Sequence, residues 1–349
     1  MKSKFNLLVL LFSFAFLVAS AENEEAQKEF HKAWPVSGVE TLNISNKYGE
    51  IKINNNGGAE VTIDVVVTVE STSRGKASKI LDLINVNFSK SGSTAKAVTE
   101  IDKEFKSSGK FSIDYTVNIP SDKNLVIDNK FGNLFVNELK AKGEFNIKYG
   151  QLTANSLEAA SPEDIKINLE YGKLNADKLS GAIFNCKYSK VAIDEVGVLE
   201  LDSKYSSFSF DEIESLKLAS KYDNFSIDQI ESVKASTQYT SISIDGLADK
   251  FDVDNGYGSI KIGQVSNEFS LINITNSYGG ISLGLGAEAT YEVDASCTYC
   301  QISYNKDLFT GDSIEKSNTK SLKGKMGEGN SSAKVIVESK YGGIKLKGE

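Results

Sequence analysis

Apolar and polar residues alternate along most of the chain, and the alternation repeats around one aromatic residue. An apolar side chain stands four residues before this aromatic, as at Ile127, Phe145 and Leu201, and another stands three residues after it. Alternation with a period of two predicts β-strands that bury one face. Each repeat therefore contains two short strands, one on either side of the aromatic residue.

The aromatic column has twelve members, spaced about 17–22 residues apart between Phe131 and Tyr299. They are Tyr48, Phe131, Tyr149, Tyr171, Tyr188, Tyr205, Tyr222, Tyr239, Tyr257, Tyr278, Tyr299 and Tyr341. Two short strands cannot bury their own apolar face, whereas stacked copies can, so the repeat predicts an all-β, single-stranded β-solenoid (β-helix). An antiparallel sandwich is the alternative, but hairpins do not require the same residue type in every column.

The pattern divides the chain into segments. Residues 1–21 combine two lysines, an apolar run and Ala-Ser-Ala, which predicts a signal peptide and an exported protein of the periplasm, cell surface or medium. Residues 22–122 predict a β-rich N-terminal cap with one short helix near 77–84. Residues 123–349 carry the solenoid repeats, with a polar loop insertion at 305–332 and one more coil at 333–346. The mature chain has no second long apolar segment, so we expect no membrane span.

Charge and composition exclude several classes of function. The formal net charge of −8 disfavours nucleic acid as a partner. The chain has one arginine, Arg74, and one histidine, His31, which excludes His-based triads in the repeats and metal sites with several His ligands. We therefore expect no enzymatic activity and no cofactor.

A column of aspartates allows two interpretations. It lies six residues after the aromatic and contains Asp177, Asp194, Asp211, Asp228 and Asp245. Stacked carboxylates suit Ca²⁺, which prefers oxygen ligands. However, Asn and Gly occupy the same column in other repeats, and all three residue types favour turns and tolerate left-handed backbone. Turn chemistry is therefore favoured over a metal site.

Other columns also offer candidate surfaces. Lys187, Lys204 and Lys221 precede the aromatic and point outward, either as a stripe that binds a glycan or surface, or as a solvated face that discourages aggregation. The aromatics themselves are either a platform for stacking sugars or an internal stack near a corner. Their parity matches the buried columns, which favours the internal stack. Small polar residues two positions before the aromatic, such as Ser203 and Ser220, predict an internal polar ladder.

The three cysteines do not form a disulfide framework. Cys297 and Cys300 flank Tyr299, which favours packing or a local disulfide. Redox chemistry is disfavoured, because no helix N-terminus lowers the thiol pKa. Cys186 lies several coils away and is not expected to pair with Cys297. The loop at 309–332 is the place where a specific partner is most expected.

The motifs IDNKFGNLFVNEL, NIKYGQLTANSL and NLEYGKLNADKL resemble the "putative adhesin" family of exported, Bacteroidota-type proteins without an assigned function. This resemblance covers most of the mature chain. It implies a right-handed β-solenoid at or outside the cell envelope, and it supplies no catalytic residues. Glycine after the aromatic is missing from Ser189 to Thr240, so those coils are expected to turn differently.

Three functions follow from these patterns. The first is a non-enzymatic adhesin-like or structural cell-envelope protein, with a glycan or a cell-surface protein as partner. The second is a polysaccharide-binding or polysaccharide-degrading β-helix, and the third is a periplasmic scaffold or sensor that acts through the 309–332 loop. The single arginine and the turn-like aspartate column favour the first.

Overall fold

The computed structural model describes residues 24–55, 58–106 and 109–346. Strands dominate this part of the chain, and most of them pair in parallel with the equivalent strand of the next coil. The predicted β-solenoid is therefore confirmed. The segment predicted as a signal peptide lies outside the described residues.

The N-terminal part combines long antiparallel strands with the first coils. Its elements are β1 (Glu24–Pro35), β2 (Thr41–Lys47), β3 (Ile51–Asn54), β4 (Glu60–Ser71), α1 (Arg74–Leu81), β5 (Ile84–Ser91), β6 (Thr94–Ile101) and β7 (Phe111–Asn118). Helix α1 begins slightly earlier than predicted and buries Ala77 and Leu81 against β1 and β4. This helix covers the apolar side of the two longest N-terminal strands.

The repeats continue from β8 to β22. The shorter strands before the middle coils are β8 (Asn124–Lys130), β9 (Leu134–Leu139), β10 (Gly143–Lys148), β11 (Gln151–Leu157) and β12 (Ile165–Glu170). The long middle strands are β13 (Lys173–Lys187), β14 (Lys190–Lys204), β15 (Ser207–Lys221), β16 (Asn224–Gln238) and β17 (Ser241–Gly256). Five strands complete the set: β18 (Ile260–Val265), β19 (Leu271–Ser277), β20 (Ile281–Leu285), β21 (Tyr291–Thr298) and β22 (Ile302–Tyr304).

The core is a dry column along the axis, formed by the apolar positions of the alternating pattern. Phe184 aligns with Leu201 of the next coil, and Val191 aligns with Phe208. These side chains are at most 3% exposed. Because every coil presents the same inward positions, stacking one coil on the next keeps the apolar column continuous.

The first aromatic coil is not the outermost coil in space. Strand β2 lies between β6 and β8, and β3 lies between β7 and β9. Strand β4 then pairs antiparallel with both β1 and β7. The N-terminal end of the stack is therefore closed by antiparallel strands, and the coil around Tyr48 is held from two sides.

The C-terminal end has the same arrangement. The remaining strands are β23 (Phe309–Lys316), β24 (Thr319–Met326), β25 (Lys334–Lys340) and β26 (Ile344–Leu346). The coil β25–β26 was predicted to follow the others, but it is inserted between β19–β20 and β21–β22. The segment described from sequence as a polar loop contains a hairpin instead, and β24 of this hairpin pairs antiparallel with β21.

Candidate functional site

The aromatic column lies on the outside of the solenoid, so its predicted internal position is wrong. All twelve aromatics adopt a left-handed backbone, with φ between 51° and 64°, and their exposed fractions range from 37% to 53%. Alternating residues point to opposite faces only while the backbone is extended. A left-handed residue reverses the direction of the side chain, so the ring points to solvent although its neighbours at even spacing point inward. The adjacent glycines were the available signal for such a corner.

The exposed rings stack on one another along the axis. Neighbouring ring centroids are 4.7–5.1 Å apart and the ring planes lie within 17° of parallel. In space Tyr341 lies between Tyr278 and Tyr299, as the inserted coil requires. At the other end Tyr48 meets Phe111 at a tilt of 54°. We call the twelve rings the aromatic ridge; their faces cover one another, and their edges and hydroxyl groups face solvent.

Buried polar side chains hold most of the corners from the inside. The residue two positions before the ring is polar and buried in most coils, which confirms the predicted internal ladder. The Asn255 side-chain amide donates to the Gly258 carbonyl at 2.8 Å, and the Ser339 hydroxyl donates to the Gly342 carbonyl at 2.6 Å. These bonds link the residue before the corner to the residue directly after the ring, and they fix the left-handed turn.

Glycine follows the ring wherever the coils approach too closely for a side chain. A Cβ atom at Gly150 would lie 1.9 Å from the carbonyl oxygen of Gly132, and one at Gly279 would lie 1.8 Å from that of Gly258. Such distances are far below van der Waals contact, so these positions require glycine even though their own φ is not left-handed. This is a close approach of backbones, rather than a demand for unusual dihedral angles.

The middle coils were expected to turn differently because they lack this glycine, but they keep the same left-handed corner, with φ of 51–62° at the aromatic residue. Ser189, Ser206, Asp223 and Thr240 take the place of the glycine, and their side chains accept hydrogen bonds from the backbone of the preceding coil. Asp223 accepts from the Ser206 amide and from the Ser220 hydroxyl, both at 2.6 Å. It is 1% exposed, and burial raises the pKa of its carboxyl group. Sequence reasoning did not single out this buried acid.

The three lysines proposed for surface binding lie beside the ridge. Lys187, Lys204 and Lys221 are exposed and align in register in consecutive coils. Lys148, in contrast, bonds Glu170 at 2.5 Å, and this hydrogen bond raises the pKa of Lys148 and lowers that of Glu170. Lysines also reach the rings, as Lys130 does 4.8 Å from the centre of Phe131. The ridge is therefore bordered by ammonium groups.

The aspartate column lies at the bend between the two strands of a coil. The parallel pairing of β13 with β14 joins Ala176 to Ile193 and Lys178 to Glu195, but Asp177 and Asp194 between them are not paired. The buried parity changes at this point. The five aspartates of the column are exposed and none has a positive φ, so they serve a bend that does not need left-handed backbone.

A groove of about 1120 Å³ runs along the neighbouring corner. The charged residues of its lining are acidic apart from Lys178, and they include Glu195, Glu212, Glu214 and Glu231. Within the described ranges, no group of three or more His, Cys, Asp or Glu side chains is placed to hold a metal ion. The solenoid thus has lysines beside the aromatic ridge and carboxylates at another corner.

The cysteines are placed as their spacing suggests. A disulfide joins Cys297 and Cys300, whose Cα atoms are 5.5 Å apart. These are the positions that buried polar side chains link in other coils, so the bond takes the place of that link around Tyr299. Cys186 is a free, buried thiol several coils away, and burial raises its pKa to about 11.

Comparison with known proteins gives distant matches. No protein family and no curated protein matches the chain. A "putative cell adhesion protein" from Clostridium sporogenes is similar over 93% of this chain and 100% of its own, at 12% identity and a TM-score of 0.21. A "putative adhesin" from Parabacteroides distasonis matches at 12% identity and a TM-score of 0.35, over 74% of this chain and 92% of its own. A "putative adhesin" from Bacteroides fragilis matches at 13% identity and a TM-score of 0.29, over 91% of this chain and 96% of its own.

All three of these proteins are described as adhesins or cell adhesion proteins. The likeness is too distant to carry a conclusion about what this chain binds. Among the described residues, no helix has the length and apolar character needed to cross a membrane.

Proposed function

We propose that this protein is a non-enzymatic, adhesin-like protein, exported to the cell envelope or beyond, that binds an extended ligand along the aromatic ridge. The observation that supports this proposal is the continuous exposure of the ridge, where each ring is held outward by a left-handed corner. A left-handed residue with a Cβ costs about 1–2 kcal/mol, which Gly or Asn would largely avoid. Eleven tyrosines at this position therefore favour a role for the side chain.

The stacking limits how a ligand can bind. A sugar ring stacks on the face of an aromatic side chain, but the faces of Tyr188, Tyr205 and Tyr222 are each covered by two neighbouring rings. Ring edges and phenol hydroxyls stay accessible, and hydroxyls both donate and accept hydrogen bonds. A ligand would therefore contact a row of hydroxyls, one for each coil except that of Phe131, and would extend parallel to the solenoid axis.

The repetition of one surface supports multivalent binding rather than a reaction centre. The same ring recurs in every coil, and a nucleophile with its base does not recur beside it. Many weak contacts along a rigid row combine into strong binding without any single strong site. The 309–332 segment supports the sensor alternative less, because β24 is packed between β21 and β23.

A glycan array tests this proposal with variants that keep the stack. The triple change Tyr188→Phe, Tyr205→Phe and Tyr222→Phe removes three hydroxyls but keeps the rings, and Phe131 already occupies this column. The expected result is binding by the wild type, weaker binding by the triple variant and unchanged binding by Tyr304→Phe, which lies outside the ridge. Wild-type levels of binding by the triple variant, or no binding by the wild type, would contradict the proposal.

A further inference from the structure

We infer that the ridge between Tyr171 and Tyr222 binds a linear, carboxylated polysaccharide. This inference rests on the proposed function and adds the chemical class of the ligand. The charges that border this part of the ridge differ from those along the rest of the solenoid.

Lysines flank the ridge on both sides in these coils. Lys187, Lys204 and Lys221 each precede a tyrosine, and they align with one another in consecutive coils. Lys173 and Lys190 follow a tyrosine by two residues, and they also align. All five side chains are exposed. The ammonium groups therefore form two short rows, with the tyrosine hydroxyls between them.

Lys204 and Lys221 lack the acidic partners that nearby lysines have. Lys148 is bonded to Glu170 at 2.5 Å, and Lys217 is bonded to Glu200 at 2.9 Å. Lys187 aligns with Glu170 of the preceding coil, which is also bonded to Lys148, whereas Lys204 and Lys221 form no ion pair with the described residues. Like charges that face each other on neighbouring strands repel. A ligand with regularly spaced negative charges would relieve this repulsion at every coil that it crosses.

The remaining surface favours a sugar polymer over a nucleic acid. Proteins hold single strands by stacking bases on open aromatic faces, and here the ring faces are already covered by neighbouring rings. The only arginine is Arg74 in helix α1, so lysines alone, acting as point charges, would hold either phosphates or carboxylates on the ridge. A polyuronate carries a carboxylate on each sugar ring for the lysines and hydroxyls for the tyrosines.

The charge pattern around the solenoid would also orient such a ligand. The neighbouring corner carries the acidic groove with Glu195, Glu212, Glu214 and Glu231. That corner repels a polyanion, whereas the lysine rows attract it, although the whole chain is acidic. Approach should therefore be directed to the ridge, and binding should weaken as salt concentration rises.

The test compares polygalacturonate with its fully methyl-esterified form, which has the same backbone without charge. Binding to the full chain is measured by biolayer interferometry at low and physiological salt, with oligo(dT) as a second polyanion. We expect polygalacturonate to bind at least about tenfold more tightly than the ester. The triple variant Lys187→Gln, Lys204→Gln and Lys221→Gln should lose about tenfold, which is about 0.5 kcal/mol for each exposed charge pair.

A control variant removes the same charge elsewhere. Lys79→Gln, Lys90→Gln and Lys96→Gln together change three exposed lysines of the N-terminal segment, and this variant should bind polygalacturonate like the wild type. Equal loss in both triple variants would overturn the inference, because it would show a general effect of net charge.

The outcomes separate this inference from the proposed function. If the neutral ester binds as tightly as the acid and the Tyr→Phe variant weakens both, the ridge binds glycans but the carboxylate preference is overturned. If oligo(dT) binds equally well with the same lysine dependence, the ligand class is overturned in favour of polyanions in general. If neither polymer nor any arrayed glycan binds, the proposed function fails as well.

Discussion

The corner at Tyr205 allows a direct test of the left-handed ridge. Its φ is 57°, its ring is 48% exposed, and it stacks on Tyr188 at 4.9 Å and on Tyr222 at 4.8 Å. We consider replacement of Tyr205 by Phe, Gly and Ala. The three variants separate the contribution of the hydroxyl, the stacking and the backbone conformation.

The expected changes in the free energy of unfolding follow from the two stacking contacts of Tyr205 and from its left-handed backbone. Two stacked neighbours contribute about 1–3 kcal/mol beyond burial, so with the lost burial Tyr205→Ala should cost about 2–4 kcal/mol. Tyr205→Gly loses the same contacts, but it removes about 1–2 kcal/mol of left-handed strain. Glycine also loses more backbone entropy on folding than alanine, which destabilises the Gly variant by about 0.5–1 kcal/mol. The Gly variant should therefore be more stable than the Ala variant by up to about 1.5 kcal/mol, and Tyr205→Phe should stay within about 0.5 kcal/mol of the wild type.

Urea unfolding and amide hydrogen exchange measure these differences. The amide of Tyr205 donates to the Lys221 carbonyl at 3.1 Å, so its exchange reports on local opening of this corner. Ser209 provides the matched control, because it is exposed within strand β15, which begins directly after this corner. There Ser209→Ala should be more stable than Ser209→Gly, the ordinary order for a strand. The same order at Tyr205 would refute the left-handed corner.

Three further predictions concern the interior. Gly150→Ala should destabilise by about 1–3 kcal/mol or more in urea unfolding, because its Cβ would meet a backbone carbonyl at 1.9 Å; a wild-type midpoint would contradict this. Folding raises the pKa of Asp223 above its ordinary value of 3.8, so the contribution of this carboxyl group to stability falls as pH rises above about 4. In urea unfolding, Asp223→Asn should therefore gain stability relative to the wild type between pH 4 and 7. A difference in the free energy of unfolding that stays constant with pH would contradict this. Thiol titration should find no reactive thiol in the native protein, one (Cys186) after unfolding and three after reduction; three without reductant would exclude the disulfide.

The alternating pattern was sufficient to predict the coils, the apolar column and the buried polar ladder. It could not place the aromatic ring, because a period of two describes only residues in extended conformation. One left-handed residue reverses the side-chain direction without changing the spacing, so Tyr205 shares the parity of buried residues and still faces solvent. The glycine after the ring is the local sign of the corner, but it marks a close approach of backbones that becomes visible only once the coils are stacked.

The order of the coils at the two ends could not be predicted for a different reason. Strand β25 has the same inward apolar positions as β19 and β21, so the pattern fits any place in the stack equally well. The insertion depends on the hairpin β23–β24, which carries the chain over the end of the solenoid and returns it one coil earlier. Such a choice depends on non-local pairing, and strand alternation contains no information about it.

The closed ends also define the length of the candidate binding surface. An open parallel coil would expose backbone groups that pair with another solenoid in the same register. Here β4 pairs antiparallel with β7 at one end, and β24 pairs antiparallel with β21 at the other. An antiparallel strand presents a hydrogen-bonding pattern that the next parallel coil does not match, so end-to-end stacking is opposed at both ends. The ridge is thus a row of fixed length, and its affinity for an extended ligand should increase with ligand length only until the row is filled.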